Sequence, residues 1–485
     1  MGQRSWLGGC WDPIGLARPI RLALSKVSAT FSCRWGGVGS SWGDGLPGRR
    51  ELELTIAVDG AAQTAMSRTL SRSGQPTFRE VFAVTEFRAL WLAQLLSVAG
   101  DQLARVAMTV LVFDRTHSAL WTALTYAVTF LPWMIGGLAL SGLADRFPRR
   151  QVMVACDLAR MVLVCLMALV SLKVASAVGL WVMVALLFVV TLFDSPFKSA
   201  RSAMMPDVLP GDRYVLGVAV TQTTLQVGMV SGFALGGVVV AVLGVRSALL
   251  ADAATFAASA VLVRFWVRRR PPAAHSAAGR RSALANMAAG VRLVLGDRTL
   301  RTLMLLGWLV AFYVVPMGLA APYAASLHTS FAIPISAGLV FAAGPFGTAV
   351  GAVLLGRLVP QTWRQRLMGP LAIAACGLLA LLWLKPDLVA ALLIIAGSGA
   401  CASYQLAANA AFVAVVPPER RGQAFGLANG GMQVTQGLWI VLAGAAASSN
   451  AISPAIAIAI SGGLGAILAA ALATNWRHRG APKVP

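Results

Sequence analysis

Residues 142–153 read GLADRFPRRQVM. The stretch joins two apolar runs, 118–142 and 151–172, each long enough to cross a bilayer at about 20 residues per helix. Arginines between such runs are ordinary, because basic residues stay in the cytoplasm and orient the chain. The acid is not ordinary, since orientation does not require Asp145. A carboxylate at a helix end can accept hydrogen bonds from the free N–H groups and positive pole of a neighbouring helix N-terminus. The stretch therefore reads as a loop of a helical membrane protein that also makes a polar contact.

Composition supports this outward from the loop. Of 485 residues, 58% are hydrophobic and 12% charged, where a soluble domain carries about a quarter charged. The net charge of +22 would suit a nucleic-acid binder. However, Lys and Arg occur in short clusters between apolar runs and form no continuous basic face, which argues against nucleic acid. Six cysteines show no CxxC pair, and the four histidines fall in loops or near the tail. No metal or other cofactor is expected. The absence of a GxxxxGK[ST] loop and of a paired catalytic constellation argues against an ATP-driven pump and an enzyme.

Residues 1–80 are predicted to be a disordered extension, with LARPIRLALS broken by charge too early for a secretory signal. Met66 opens the polar leader MSRTLSRSGQPTFREVF, and the functional chain is expected to start near it. From Phe87 onward twelve apolar segments follow. The linker 268–297 divides them into halves, 81–267 and 298–476, with a tail at 477–485. The halves resemble each other. FRALWL at 87–92 aligns with LRTLML at 300–305, and VLPGDR at 208–213 with VVPPER at 415–420. The second register pairs Gln222 with Asn429 and Gln226 with Gln433. The expected fold is all-α and polytopic, with twelve transmembrane helices in two pseudo-symmetric six-helix halves. Loops after even-numbered spans hold most of the basic residues, and the opposite loops hold Arg115, Lys173, Arg246 and Lys385. Both termini are thus predicted to be cytoplasmic.

Charge inside the spans is sparse and patterned. Gln94, Ser97, Asp101, Arg105 and Thr109 recur at spacings of three and four and share one helix face. A carboxylate at bilayer depth costs about 2.5–3.5 kcal/mol on insertion scales and usually serves function. Asp101 and Arg105, four apart, are expected to neutralise each other in part. Asp252 lies in span six without a charged neighbour at helical spacing. Asp157 with Arg160, and Asp194 with Lys198, read as pairs near the interface with structural roles. The second half is polar only through neutral residues such as Ser403, Gln405, Asn409, Asn429, Gln433 and Gln436. If protons drive transport, the titrating group is expected in the first half, with Asp101 the leading choice.

GLADRFPRRQVM resembles the signature loop of the major facilitator superfamily, Gly-x-Leu-Ala-Asp-Arg-x-Gly-Arg-Lys/Arg. Leu143, Ala144, Asp145, Arg146, Arg149 and Arg150 match, while Ser141 and Pro148 replace the two glycines. FRALWLAQLLSVAGDQLARVA before it and ARSAMMPDVLP after span four look like the branch of bacterial macrolide-efflux proteins and the enterobactin exporter. The resemblance implies that Asp145, with Arg146, Arg149 and Arg150, latches onto span eleven in the outward-facing state. It implies that spans one, four, seven and ten line a central cavity, so that the stripe from Gln94 to Thr109 becomes its wet wall. Phe193, Asp194, Gln222, Gln226, Trp308, Phe312, Tyr313, Tyr404, Gln405 and Gln433 are then the expected substrate contacts. Their aromatic rings suit an apolar or amphipathic compound. Gly228, Gly232, Gly236 and Gly237 allow close helix packing and resemble the superfamily's antiporter motif, with Phe233 in place of its proline.

The function expected is a secondary active exporter in the bacterial cell membrane, not an enzyme. It would work as a monomer by alternating access, coupling protons to a drug-like, macrolide-like or siderophore-like molecule. An importer or facilitator of a small metabolite, or a receptor of the same fold that does not transport, are the alternatives.

Overall fold

In lipid every backbone N–H and C=O must be satisfied within the chain, which favours helices that bond internally. All regular structure among the described residues of the computed structural model is helical. These residues are 77–132, 147–171, 177–270, 283–327, 329–417, 420–449 and 451–477. Met66 and most of the expected extension fall outside them, as do Asp145 and Arg146.

The first half comprises α1 (Phe78–Ala83), α2 (Thr85–Thr116), α3 (Ala119–Ala127), α4 (Arg149–Val170), α5 (Ala177–Leu192), α6 (Asp194–Val208) and α7 (Asp212–Trp266). Helix α2 carries Glu86 in its first turn and Arg115 in its last, matching the helix dipole. It stops at His117, whose left-handed conformation (φ 48°) ends the ladder. Ser118 then caps α3 by accepting from the Trp121 N–H. The 55-residue α7 is broken at Gly244, with φ 82° and ψ 168°. That backbone conformation is open to glycine and strained for other residues. The break separates the predicted segments 214–242 and 246–267.

A linker helix, α8 (Ala283–Gly296), leads into the second half. The sequence reading treats 268–297 only as a connection, but ALANMAAGVRLVLG is rich in good helix formers. Val294 of this helix is buried in the core of the second half. Asp297 caps the next helix, α9 (Arg298–Trp308), by accepting from the N–H groups of Thr299 at 2.7 Å and Leu300 at 3.0 Å. The predicted seventh span continues in short pieces, α10 (Val310–Tyr313), α11 (Val315–Gly318) and α12 (Ala320–Ser326). There follow α13 (Ile333–Leu358), α14 (Gln361–Gly377), α15 (Leu388–Cys401), α16 (Tyr404–Val415), α17 (Arg421–Ala447) and α18 (Pro454–Arg477).

Nine helices among the described residues are long and apolar enough to cross a membrane. The expected number was twelve. Helix α7 holds two of the predicted spans but counts once among the nine, and the described residues of 118–142 end at 132. Helix α17 has 27 residues but is interrupted by Gly, Gln and Asn, so it is not among the nine.

The halves share local architecture. Predicted span four breaks at Phe193, between α5 and α6, and predicted span ten breaks at Ala402–Ser403, between α15 and α16. The two aligned loops follow α6 and α16 and lead into α7 and α17. Contacts between the halves gather at one end of the bundle. There the Leu120 N–H donates to Ser448 Oγ at 2.7 Å. Phe233 stacks on Phe341 with ring centroids 4.9 Å apart, and Tyr126 reaches both Phe341 and Met317.

Candidate functional site

Arg160, in the middle of the apolar α4, is 1% exposed. A buried guanidinium is tolerated only where acceptors surround it. Its Nη2 lies 2.8 Å from Asp194 Oδ1 at the start of α6 and 3.8 Å from Asp101 Oδ2 on α2. Its Nη1 donates to Ser97 Oγ at 3.3 Å and stands 4.0 Å from Asp157 Oδ1, one turn back on α4. The guanidinium face covers the Phe256 ring at 4.7 Å, a cation–π contact strengthened by exclusion of water. Lys198 holds the other oxygen of Asp194 at 2.6 Å. Ser259, on the second part of α7, donates to Asp157 Oδ2 at 2.6 Å. One arginine thus ties three carboxylates on three helices of the first half.

Beside it lies a void of about 30 Å³, bordered by Asp101, Arg105, Arg160, Asp194, Asp252 and apolar neighbours. Such a space holds one or two water molecules. Every described residue that borders it belongs to the first half.

This geometry alters the expected pairing. Asp101 meets Arg160, and no ion pair within 4.0 Å joins it to Arg105. Arg105 instead lies beside the Tyr126 hydroxyl, near the closed end. Asp157 and Arg160 are buried, whereas the sequence reading set them near the interface. Position along a span gives depth in the membrane, but rotation of α4 decides whether a side chain meets lipid or other helices. Gln94 and Ser97 are buried, and Gln94 has no hydrogen-bond partner. Gln94, Ser97 and Thr109 of the stripe thus pack inside the protein, while Asp101 and Arg105 are only partly buried.

Other expected site residues are placed elsewhere. In the second half Tyr404 donates to the Leu306 carbonyl at 2.7 Å, and Gln405 Nε2 donates to the Gly307 carbonyl at 3.1 Å and to Tyr313 Oη at 2.8 Å. These bonds take up carbonyls near the end of α9, next to the breaks in the seventh span. Trp308 Nε1 donates to the Ala428 carbonyl at 2.9 Å, and Phe312 packs on Trp439 with centroids 4.6 Å apart. Gln433 accepts from Gln436 at 3.4 Å. Phe193 sits at the α5–α6 break, Gln222 is exposed and Gln226 half-buried, and none of the three borders the void. Both halves link the kink of predicted span four or ten to the first span of that half, through Arg160 of α4 in the first half and directly in the second. The tie is ionic in the first half and neutral in the second.

The glycines divide by partner. Gly228, Gly232 and Gly236 pack α7 onto α2 at Val98, Ala99 and Leu103, inside one half. Gly237 faces the second half: a methyl there would stand 2.6 Å from the Pro334 carbonyl oxygen and 3.1 Å from Gly338 Cα. Arg149 pairs with Asp207 at 2.8 Å, and Arg150 donates to the Arg264 carbonyl. These two signature-loop arginines clamp α4 to α6 and α7 within the first half. The latch partner Asp145, and Arg146 beside it, lie outside the described residues. Arg160 itself was visible in the sequence as an arginine in mid-span, but its partners on α2 and α6 were not.

A membrane-spanning helical bundle with paired halves that meet at one end, carrying a buried charge network, is the architecture of a membrane carrier. The chain belongs to the Major Facilitator Superfamily, whose family model matches residues 90–403. It is a multi-pass membrane protein of that superfamily, and it spans less than two thirds of the length of the first relative below. Among its relatives, "Enterobactin exporter EntS" of Citrobacter koseri is 31% identical over 284 residues, covering 56% of this chain and 63% of that protein. The protein of that name from Escherichia coli O1:K1 is 27% identical over 394 residues, covering 79% of this chain and 86% of the relative. The solved nucleoside transporter NupG superposes with a TM-score of 0.62 at 13% identity, covering 81% of this chain and 98% of that one. An inward-facing bacterial homologue of ferroportin gives 0.61 at 14% identity, covering 83% and 100%. At such identities the structures speak for the fold alone.

Proposed function

We propose that this transporter is a proton-driven exporter that expels a drug-like, macrolide-like or siderophore-like compound by alternating access. The observation that carries the reading is the network of Arg160 with Asp101, Asp157 and Asp194, enclosed in the first half beside a void. Intramembrane carboxylates in such networks mark proton relays, and the polar ties among the described residues of the second half are neutral. Relatives named as exporters of enterobactin support the outward direction. Charge placement in the loops makes the closed end the external one, with both termini in the cytoplasm. The conformation is then inward-facing, ready to load from the cell. Asp101 exchanges the coupling proton as Arg160 moves off it, and Asp145 latches the opposite, outward-facing state. The chain acts as a monomer in the bacterial inner membrane.

The test compares cells with and without the protein for accumulation of a compound panel that includes a macrolide and a catecholate siderophore. Lower accumulation with the protein, abolished when a protonophore collapses the gradient, is the expected result. Raised accumulation, or export indifferent to the gradient, overturns the reading.

A further inference from the structure

Asp101 and Asp252 border the same void, yet their surroundings differ. Asp101, Asp157 and Asp194 each stand within 4.0 Å of Arg160. Asp252 is 1% exposed and forms no ion pair within that distance among the described residues. Its side-chain partner is the Thr255 hydroxyl at 3.4 Å, which bonds more closely to the Asp252 carbonyl at 2.7 Å. On its other side stands the bare backbone of α2 at Gly100, where an added methyl would collide with both Asp252 Oδ1 and Thr255 Oγ1. This close approach leaves no room for a counter-ion from that side.

The charged groups on the packed elements are Asp101 and Arg105 on α2, Asp157 and Arg160 on α4, and Asp194, Lys198 and Arg201 on α6. Arg201 makes no ion pair within 4 Å among the described residues and does not border the void. The cations that stand within 4.0 Å of these carboxylates, Arg160 and Lys198, are taken up by Asp101, Asp157 and Asp194. An ionised carboxylate buried without a cation costs far more than a neutral acid that lacks one hydrogen bond. A proton on Asp252 removes the one buried charge among the four acids that no cation meets within that distance.

We infer that Asp252 holds one resident proton while Asp101, Asp157 and Asp194 remain ionised, and that this is the proton exchanged during transport. The O–H bond of Asp252 breaks and one forms at Asp101, through water in the void, once Arg160 withdraws from Asp101. The last clause rests on the proton-driven reading above, but the resident proton does not. Because the described residues that border the void all belong to the first half, the proton binds apart from the interface between halves. Proton and substrate then meet through helix movement and not by competing for the same atoms.

Infrared spectroscopy of the full-length protein in lipid nanodiscs at neutral pH tests this without any substrate. The expected spectrum contains the C=O band of a buried neutral carboxylic acid that persists through brief exposure to deuterated water. The band is lost in Asp252→Asn and kept in Asp157→Asn and Asp101→Asn. Should Asp252→Asn fail to fold, Asp252→Glu and Thr255→Val are each expected to shift the band's frequency. Absence of the band from the wild type, its survival in Asp252→Asn, its loss in Asp101→Asn, or its indifference to both substitute variants overturns the proton's placement. Gradient-driven export that survives Asp252→Asn, with the band gone, overturns only its role in exchange.

Discussion

Arg160 and Asp194 meet at 2.8 Å in the interior of the first half, one from the middle of α4 and the other from the first turn of α6. Asp194 stands at the break in predicted span four, so the ion pair fixes the place where that span bends. Asp101 of α2 enters the same guanidinium from a third helix. A movement of any one of these helices changes the charge balance felt by the others, which gives a bistable element on which a proton can act.

Removing the hub leaves acids buried without a cation, and breaking one partner of a buried pair typically costs about 3–5 kcal/mol. Arg160→Gln is therefore expected to lower the thermal midpoint of the purified protein steeply, more than Lys198→Gln, whose side chain is partly exposed. Thermal unfolding followed by tryptophan fluorescence in detergent measures both. Equal shifts would show that Arg160 is not the centre of the network.

Asp101→Asn removes one ionic partner of Arg160 while leaving Asp194 in place. Expected is normal membrane insertion, read by the level of protein in isolated membranes, with loss of gradient-driven export. Transport at the wild-type rate would remove Asp101 from the coupling step.

Ser118 and Ser448 have hydroxyl oxygens 3.5 Å apart across the closed end. A double cysteine variant, Ser118→Cys with Ser448→Cys, is expected to crosslink under mild oxidation and hold that end shut. Transport should stop on oxidation and return with reductant, with the crosslink read as a mobility shift on a non-reducing gel. Transport unaffected by complete crosslinking would mean that this end does not open.

Gly237 lets α7 and α13 touch backbone to backbone between halves, whereas Gly232 serves packing within one half. Gly237→Leu is expected to prop the closed end apart and so raise labelling of a cysteine placed at Ser118 by a membrane-impermeant maleimide. Unchanged labelling would count against Gly237 as a contact of the gate.

Tyr404→Phe deletes the hydrogen bond to the Leu306 carbonyl and leaves that buried acceptor unpaired, at a cost of about 1–3 kcal/mol. Thermal unfolding is expected to show the loss, and unchanged stability would show that the neutral tie of the second half carries little.

Several features were legible before any coordinates. The shortage of charge, the apolar runs, the paired FRALWL and LRTLML segments and the GLADRFPRRQVM loop announced a duplicated helical carrier. The reason is that partition into lipid and orientation of loops depend on local composition, which a linear string displays directly. Helix breaks were partly legible too, at Gly244 but not at Phe193 or within predicted span seven. Charge partners were not, because counting by three and four finds neighbours on one helix only. It joined Asp101 to Arg105, where the fold joins Asp101 to Arg160 and sets Asp252 against Gly100. By itself the sequence determined that polar residues would be carried into the membrane and on which spans. The tertiary structure alone decided which of them meet, because the rotation and close approach of packed helices, and not distance along the chain, set the few ångströms over which buried charges neutralise one another.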